Sequence, residues 1–133
     1  MTKVGIIGTG MLGEAVGLHL LDSKYEVTVY NRTKDKVENL VKHGAVAVES
    51  PKDVAGKSEI VITVVKDASA VSDVAFGNNG IIYGKHDDLV VADMSTINPN
   101  SAKDISQKFS DSGVSFLEIP VTVSYTHLRA HET

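Results

Sequence analysis

Over the first 120 positions short β-branched runs alternate with helical stretches of about ten residues, the β-α-β-α order of a parallel sheet. The runs Lys3–Gly8, Glu26–Tyr30, Ala45–Val48, Glu59–Val65, Leu89–Asp93 and Ser115–Ile119 predict six strands. Several are apolar at consecutive positions, as strands covered by helices on both faces must be. Met11–Leu21 predicts a helix with Met11, Ala15 and Leu18 on one face, and Thr33–His43 a second with Val37, Leu40 and Val41 turned inward. Gly44 is placed to stop that second helix. Asn98 and Pro99 supply an N-cap and a proline at the first helical position, opening a helix over Ser101–Phe109. With no internal repeat, low-complexity tract or linker in between, residues 1–121 read as one α/β domain built on a doubly wound parallel sheet.

Composition narrows the chemistry. There is no cysteine in the 133 residues, which excludes a disulfide framework, a zinc ribbon, an iron–sulfur centre and a cysteine nucleophile. Apolar runs reach only about six residues against the roughly 20 a membrane span needs, and the opening MTKVGIIG enters a strand with no basic leader. The cytoplasm is therefore the expected compartment. Thirteen basic residues against seventeen acidic, with no basic cluster, leave no footprint for a nucleic-acid backbone or an anionic membrane, so any anion site has to be local.

One local anion site is visible. The first strand runs into Gly8-Thr9-Gly10-Met11-Leu12-Gly13, a G-x-G-x-x-G that opens a helix. In such a turn the first glycine permits the tight bend, the second lets a pyrophosphate approach the backbone, and the third lets the helix lie close on the sheet. The amides of the helix start then face the anion. A glycine-rich turn that binds nothing has the same letters. Here the motif sits at the first βα junction of a chain that keeps alternating, which is the context of a Rossmann-type dinucleotide site. His19, two turns into that helix, reads as a surface or packing residue.

The end of the second strand bears on which dinucleotide. An acidic side chain there would hold the ribose 2′-hydroxyl of NAD. This chain has Tyr30-Asn31-Arg32-Thr33 instead. Arg32 can pair with a 2′-phosphate, and Asn31 and Thr33 can donate hydrogen bonds to it, so the expectation is NADP, with NAD second. The plainer alternative makes Arg32 a solvated loop residue and Thr33 the N-cap of the next helix.

After the fifth strand comes Asp93-Met94-Ser95-Thr96-Ile97-Asn98-Pro99, at the carboxyl edge where ligands sit in open α/β sheets. Together with GTGMLG, NRT and Pro120-Val121, it makes residues 1–121 resemble the β-hydroxyacid dehydrogenases, the group of 3-hydroxyisobutyrate dehydrogenase and tartronate semialdehyde reductase. Leu12 stands where that family usually has methionine. The resemblance implies an oxidoreductase that moves a hydride between nicotinamide and a small 3-hydroxy acid or its semialdehyde, as a homo-oligomer at full length. It further implies pyrophosphate contacts from Gly8, Gly10, Met11, Leu12 and Gly13, with Thr9 of the same turn also at the cofactor, and adenosine 2′-phosphate contacts from Asn31, Arg32 and Thr33. By the same resemblance Val64, Val65 and Lys66 border the ribose and nicotinamide side, and Thr96 the nicotinamide. Beside these roles stand plainer ones: Asp67 as an N-cap, Ser95 bonded to loop amides, and Asp93 stabilising its own turn.

The family's substrate-carboxylate segment has the form D-x-P-V-S-G-G, and this chain departs from it after Glu118-Ile119-Pro120-Val121 at Thr122-Val123-Ser124. The family's catalytic lysine, and an asparagine one turn later, fall on helices beyond that point, so no residue here is assigned a catalytic role. The stretch Val123–Thr133 resembles one translated frame of a transposase-type sequencing adapter. On that reading residues 122–133 are a non-native tail on a fragment that is inactive alone, and His127 and His131, although four apart, hold no metal. Two alternatives remain: a non-catalytic NADP-binding or sensing module, and another Rossmann reductase of the pyrroline-carboxylate type. DMSTINP argues against the latter.

Overall fold

A computed structural model of the protein describes residues 2–119. The expected domain end at Val121 and the whole 122–133 tail lie outside the described residues. Six parallel strands form one sheet: β1 (Lys3–Ile7), β2 (Glu26–Tyr30), β3 (Val46–Ala47), β4 (Ile60–Thr63), β5 (Val90–Asp93) and β6 (Ser115–Glu118). Their spatial order is β3-β2-β1-β4-β5-β6, so the chain starts in the middle, winds outward through β2 and β3, and returns to the other side of β1 with β4. The helices are α1 (Met11–Asp22), α2 (Glu38–Lys42), α3 (Pro51–Gly56), α4 (Ala68–Phe76) and α5 (Pro99–Asp111), with single 3-10 turns at Lys34–Val37 and Ile81–Gly84.

Two cores follow from β1 alone, because successive side chains of a strand point to opposite faces. Ile6 is buried with Val27, Val29, Val37 and Leu40 beneath α1 and α2. Its neighbour Ile7 is buried with Val54, Val71, Val91, Ile105 and Phe109 beneath α3, α4 and α5. Phe109 anchors the second core, its ring 4.8 Å from that of Phe76 and 5.2 Å from that of Phe116.

Two helix faces differ from expectation. Met11 and Ala15 are exposed, and α1 buries Gly13 and Gly17 instead. A Cβ built on Gly17 would stand 2.7 Å from a Leu40 methyl, so the backbone of α1 approaches the core closely at its glycines, while Val16, Leu18, Leu20 and Leu21, Leu18 among the residues expected inward, pack partly buried beside them. The predicted Thr33–His43 helix is a 3-10 turn followed by the five residues of α2, and it buries Val37 and Leu40 while Val41 stays exposed. The strands, by contrast, lie where expected, most of them trimmed by a residue or two at their ends.

Candidate functional site

The carboxyl ends of β1, β2 and β4 converge where the strand order reverses, the place where open α/β sheets bind ligands. β1 does not stop at its last ladder pair: Gly8 N donates to Tyr30 O of β2 at 2.9 Å. Gly8 then turns at φ +100, and a side chain there would collide with the Val64 carbonyl that follows β4. A Cβ on Gly13 would strike the carbonyl of Gly8, so α1 starts in contact with the turn that feeds it. Gly10 differs from both. It is the N-cap of α1, has extended backbone, makes no side-chain cap, and a Cβ on it would meet nothing within 4 Å. The first helical hydrogen bond runs from Glu14 N to Gly10 O at 2.9 Å. The amides of Met11, Leu12 and Gly13 therefore have no intrahelical acceptor and point past an open glycine.

Thr9 and Asn31 hold this turn in place. The Thr9 side chain is buried and donates to Lys36 O at 2.9 Å. The Thr9 amide donates to Asn31 Oδ1 at 2.8 Å, and Asn31 Nδ2 donates to Thr33 O at 3.1 Å. Asn31, expected at a phosphate, thus ties the end of β2 to the glycine turn. Thr33 occupies the N-cap position of the following 3-10 turn without a side-chain cap bond and is exposed. Arg32 is 82% exposed beside a cleft of about 310 Å³ that Gly8, Tyr30, Arg32, Val65, Asp73 and Val74 help to line.

On the far side of β1, the ends of β4 and β5 are stitched together. Thr63 Oγ1 donates to the buried Asp93 Oδ1 at 2.7 Å, and Val65 N donates to Ser95 Oγ at 2.8 Å. Burial raises the Asp93 carboxyl above the ordinary aspartate value, while hydrogen bonds from Thr63 and Ser95 pull it the other way. Through these bonds Asp93 and Ser95 set the spacing of the loops that carry Val64–Lys66 and Thr96. Val64 and Val65 are half-buried, Lys66 and Thr96 exposed. Asp67 caps α4 through Ala70 N at 2.9 Å. Thr63 and Asp73 were not singled out in the sequence. A buried threonine ending a strand and an aspartate inside a helix carry no local signal of what the fold brings to them.

A parallel sheet in this order, with a glycine turn opening its first helix at the switch point, defines a Rossmann-type NAD(P)-binding domain. The family described as the NAD binding domain of 6-phosphogluconate dehydrogenase matches residues 3–130, and the chain belongs to that family. The chain is similar to glyoxylate/succinic semialdehyde reductase 1 of Arabidopsis thaliana, with 34% identity over 122 residues, 92% of this chain and 42% of that protein. It is also similar to the probable 3-hydroxyisobutyrate dehydrogenase-like 1 protein, mitochondrial, of the same plant, at 36% identity over 91% of this chain and 36% of that one. Among solved structures, an imine reductase from Myxococcus stipitatus in complex with NADP+ superposes with a TM-score of 0.79 at 26% identity, covering 87% of this chain and 39% of that one. The chain spans about two-fifths of the length of the curated relatives it matches. Among the described residues no helix is long and apolar enough to cross a membrane, and no group of three metal-ligating side chains comes together.

Proposed function

We propose that this chain binds NADP(H) across the switch point of its sheet, as the cofactor-binding part of an oxidoreductase. The reaction is hydride transfer between nicotinamide and a small 3-hydroxy acid or its semialdehyde. The observation that carries the reading is the open start of α1: three amides without intrahelical acceptors, above a glycine whose missing side chain leaves the approach clear, beside an exposed arginine. That donor set suits a pyrophosphate and a 2′-phosphate. Gly8 and Gly13 keep the turn tight, and the amides of Met11, Leu12 and Gly13 receive the pyrophosphate. Thr9 and Asn31 hold the turn against β2. Arg32, with Thr33 next to it, takes the 2′-phosphate, and this favours NADP over NAD. Val64, Val65, Lys66 and Thr96 border the ribose and nicotinamide. The nicotinamide, when bound, supplies the hydride chemistry. This chain's residues bind and orient it, and the proton-transfer step is assigned to none of them. The substrate class is supported by the names of the similar reductase and dehydrogenase.

Titration of the 133-residue chain with NADPH, followed by cofactor fluorescence, tests the reading. The wild type is expected to bind and Gly10→Val to lose binding with an unchanged circular dichroism spectrum, since a Cβ at this position meets nothing within 4 Å and the backbone is already extended. Equal binding by both proteins would place the site elsewhere.

A further inference from the structure

The end of β2 carries no carboxylate of its own, yet the fold delivers one from α4. Arg32 Nη2 lies 3.8 Å from Asp73 Oδ2, and the two residues line the same cleft. Both side chains are largely exposed, at 82% and 65%. A pair of that kind adds little to stability and breaks readily, so it is not there to hold the fold together. We propose that Asp73 is a specificity-determining residue of the cofactor site, competing for Arg32 and opposing a 2′-phosphate there, so that it narrows the preference for NADP over NAD.

The inference rests on the reading that Arg32 meets the 2′-phosphate. A phosphate group carrying about −1.5 to −2 charges can reach the guanidinium only by displacing the Asp73 carboxylate or by sharing the guanidinium with it. In the second case two like charges stand within a few ångströms of each other. NADH brings a neutral hydroxyl to the same place and meets no such opposition. An acidic side chain beside the ribose is the feature that favours NAD in this fold, and here it comes from α4.

The test is a set of dissociation constants for NADPH and NADH on the wild type, Asp73→Asn, Asp73→Ala and Arg32→Ala, at low salt and again at about 0.5 M salt, where surface charges are screened. Both Asp73 variants are expected to bind NADPH about 3- to 10-fold more tightly at low salt, with NADH unchanged or slightly weakened and the gain shrinking at high salt. An unchanged or falling NADPH-to-NADH preference in both Asp73 variants, with Arg32→Ala weakening NADPH as expected, overturns the role of Asp73 alone. If Arg32→Ala leaves NADPH binding untouched, the phosphate reading of Arg32 fails and this inference falls with it.

Discussion

Asn31 and Arg32 are adjacent, but Asn31 braces the glycine turn while Arg32 stands exposed at the cleft, and substitution separates the two. Asn31 accepts from the Thr9 amide, so Asn31→Ala loosens the glycine turn that either cofactor would need. It is expected to weaken NADPH and NADH by the same factor and to cost about 1–3 kcal/mol of stability, the usual penalty for stranding a part-buried amide. Arg32→Ala is expected to weaken NADPH alone. Parallel titrations with the two cofactors check both, and an Asn31→Ala protein that lost NADPH selectively would make Asn31 a phosphate ligand after all. Gly13 and Gly10 divide in a similar way. Gly13→Ala drives a methyl into the Gly8 carbonyl and is expected to destabilise the fold by about 1–3 kcal/mol in urea unfolding, whereas Gly10→Val, which meets no neighbour at Cβ, is expected to cost no more than the loss of a favourable N-cap residue, about 1 kcal/mol. Asp93 adds a pH signature. Its carboxyl is raised in the folded state by burial, so the native protein holds that proton more tightly than the unfolded chain does. The contribution of Asp93 to stability is therefore present below the ordinary aspartate value and declines as pH rises through the raised one. The stability of Asp93→Asn relative to wild type is expected to increase from about pH 4 toward pH 7. A relative stability that falls over that range would contradict the assigned direction.

At the scale of elements, the starts of α3, α4 and α5 are set by single side chains. Asn98 Oδ1 accepts from Ser101 N at 2.8 Å with Pro99 at the first helical position of α5. Asn98→Ala is expected to cost about 1 kcal/mol in a urea midpoint series. This cap, the Asp67 cap of α4 and the stop at Gly44, with φ +111, were legible because each rests on a residue type and one or two positions of spacing. The six strands were legible because an apolar β-branched run has few other uses in a chain this regular. The face of α1 was legible only at Leu18, because its most buried positions are the glycines Gly13 and Gly17, and a pattern of large apolar residues cannot report a contact made by missing side chains. The division of Thr33–His43 was equally hidden: a 3-10 turn and a short helix bury the same Val37 and Leu40 that one continuous helix would. α3, only six residues long, offers too short a run to show a period.

At the scale of the whole molecule, the glycine turn was readable from letters alone because its function depends on local backbone. The surroundings of Arg32 were not readable. From the sequence the end of β2 held no carboxylate, and only the packing of α4 against the same cleft brings Asp73 there. Central to the function is that a dinucleotide is expected to bind at the carboxyl ends of β1, β2 and β4 on the open start of α1. Amide chemical-shift mapping of the 15N-labelled chain during an NADPH titration tests this most directly, since it reads the donors themselves. The amides of Met11, Leu12 and Gly13 are expected to shift most, with Arg32 and Val65 moving at the same ligand concentrations. Saturable shifts elsewhere with those amides unmoved, or no shifts at millimolar NADPH, would contradict it.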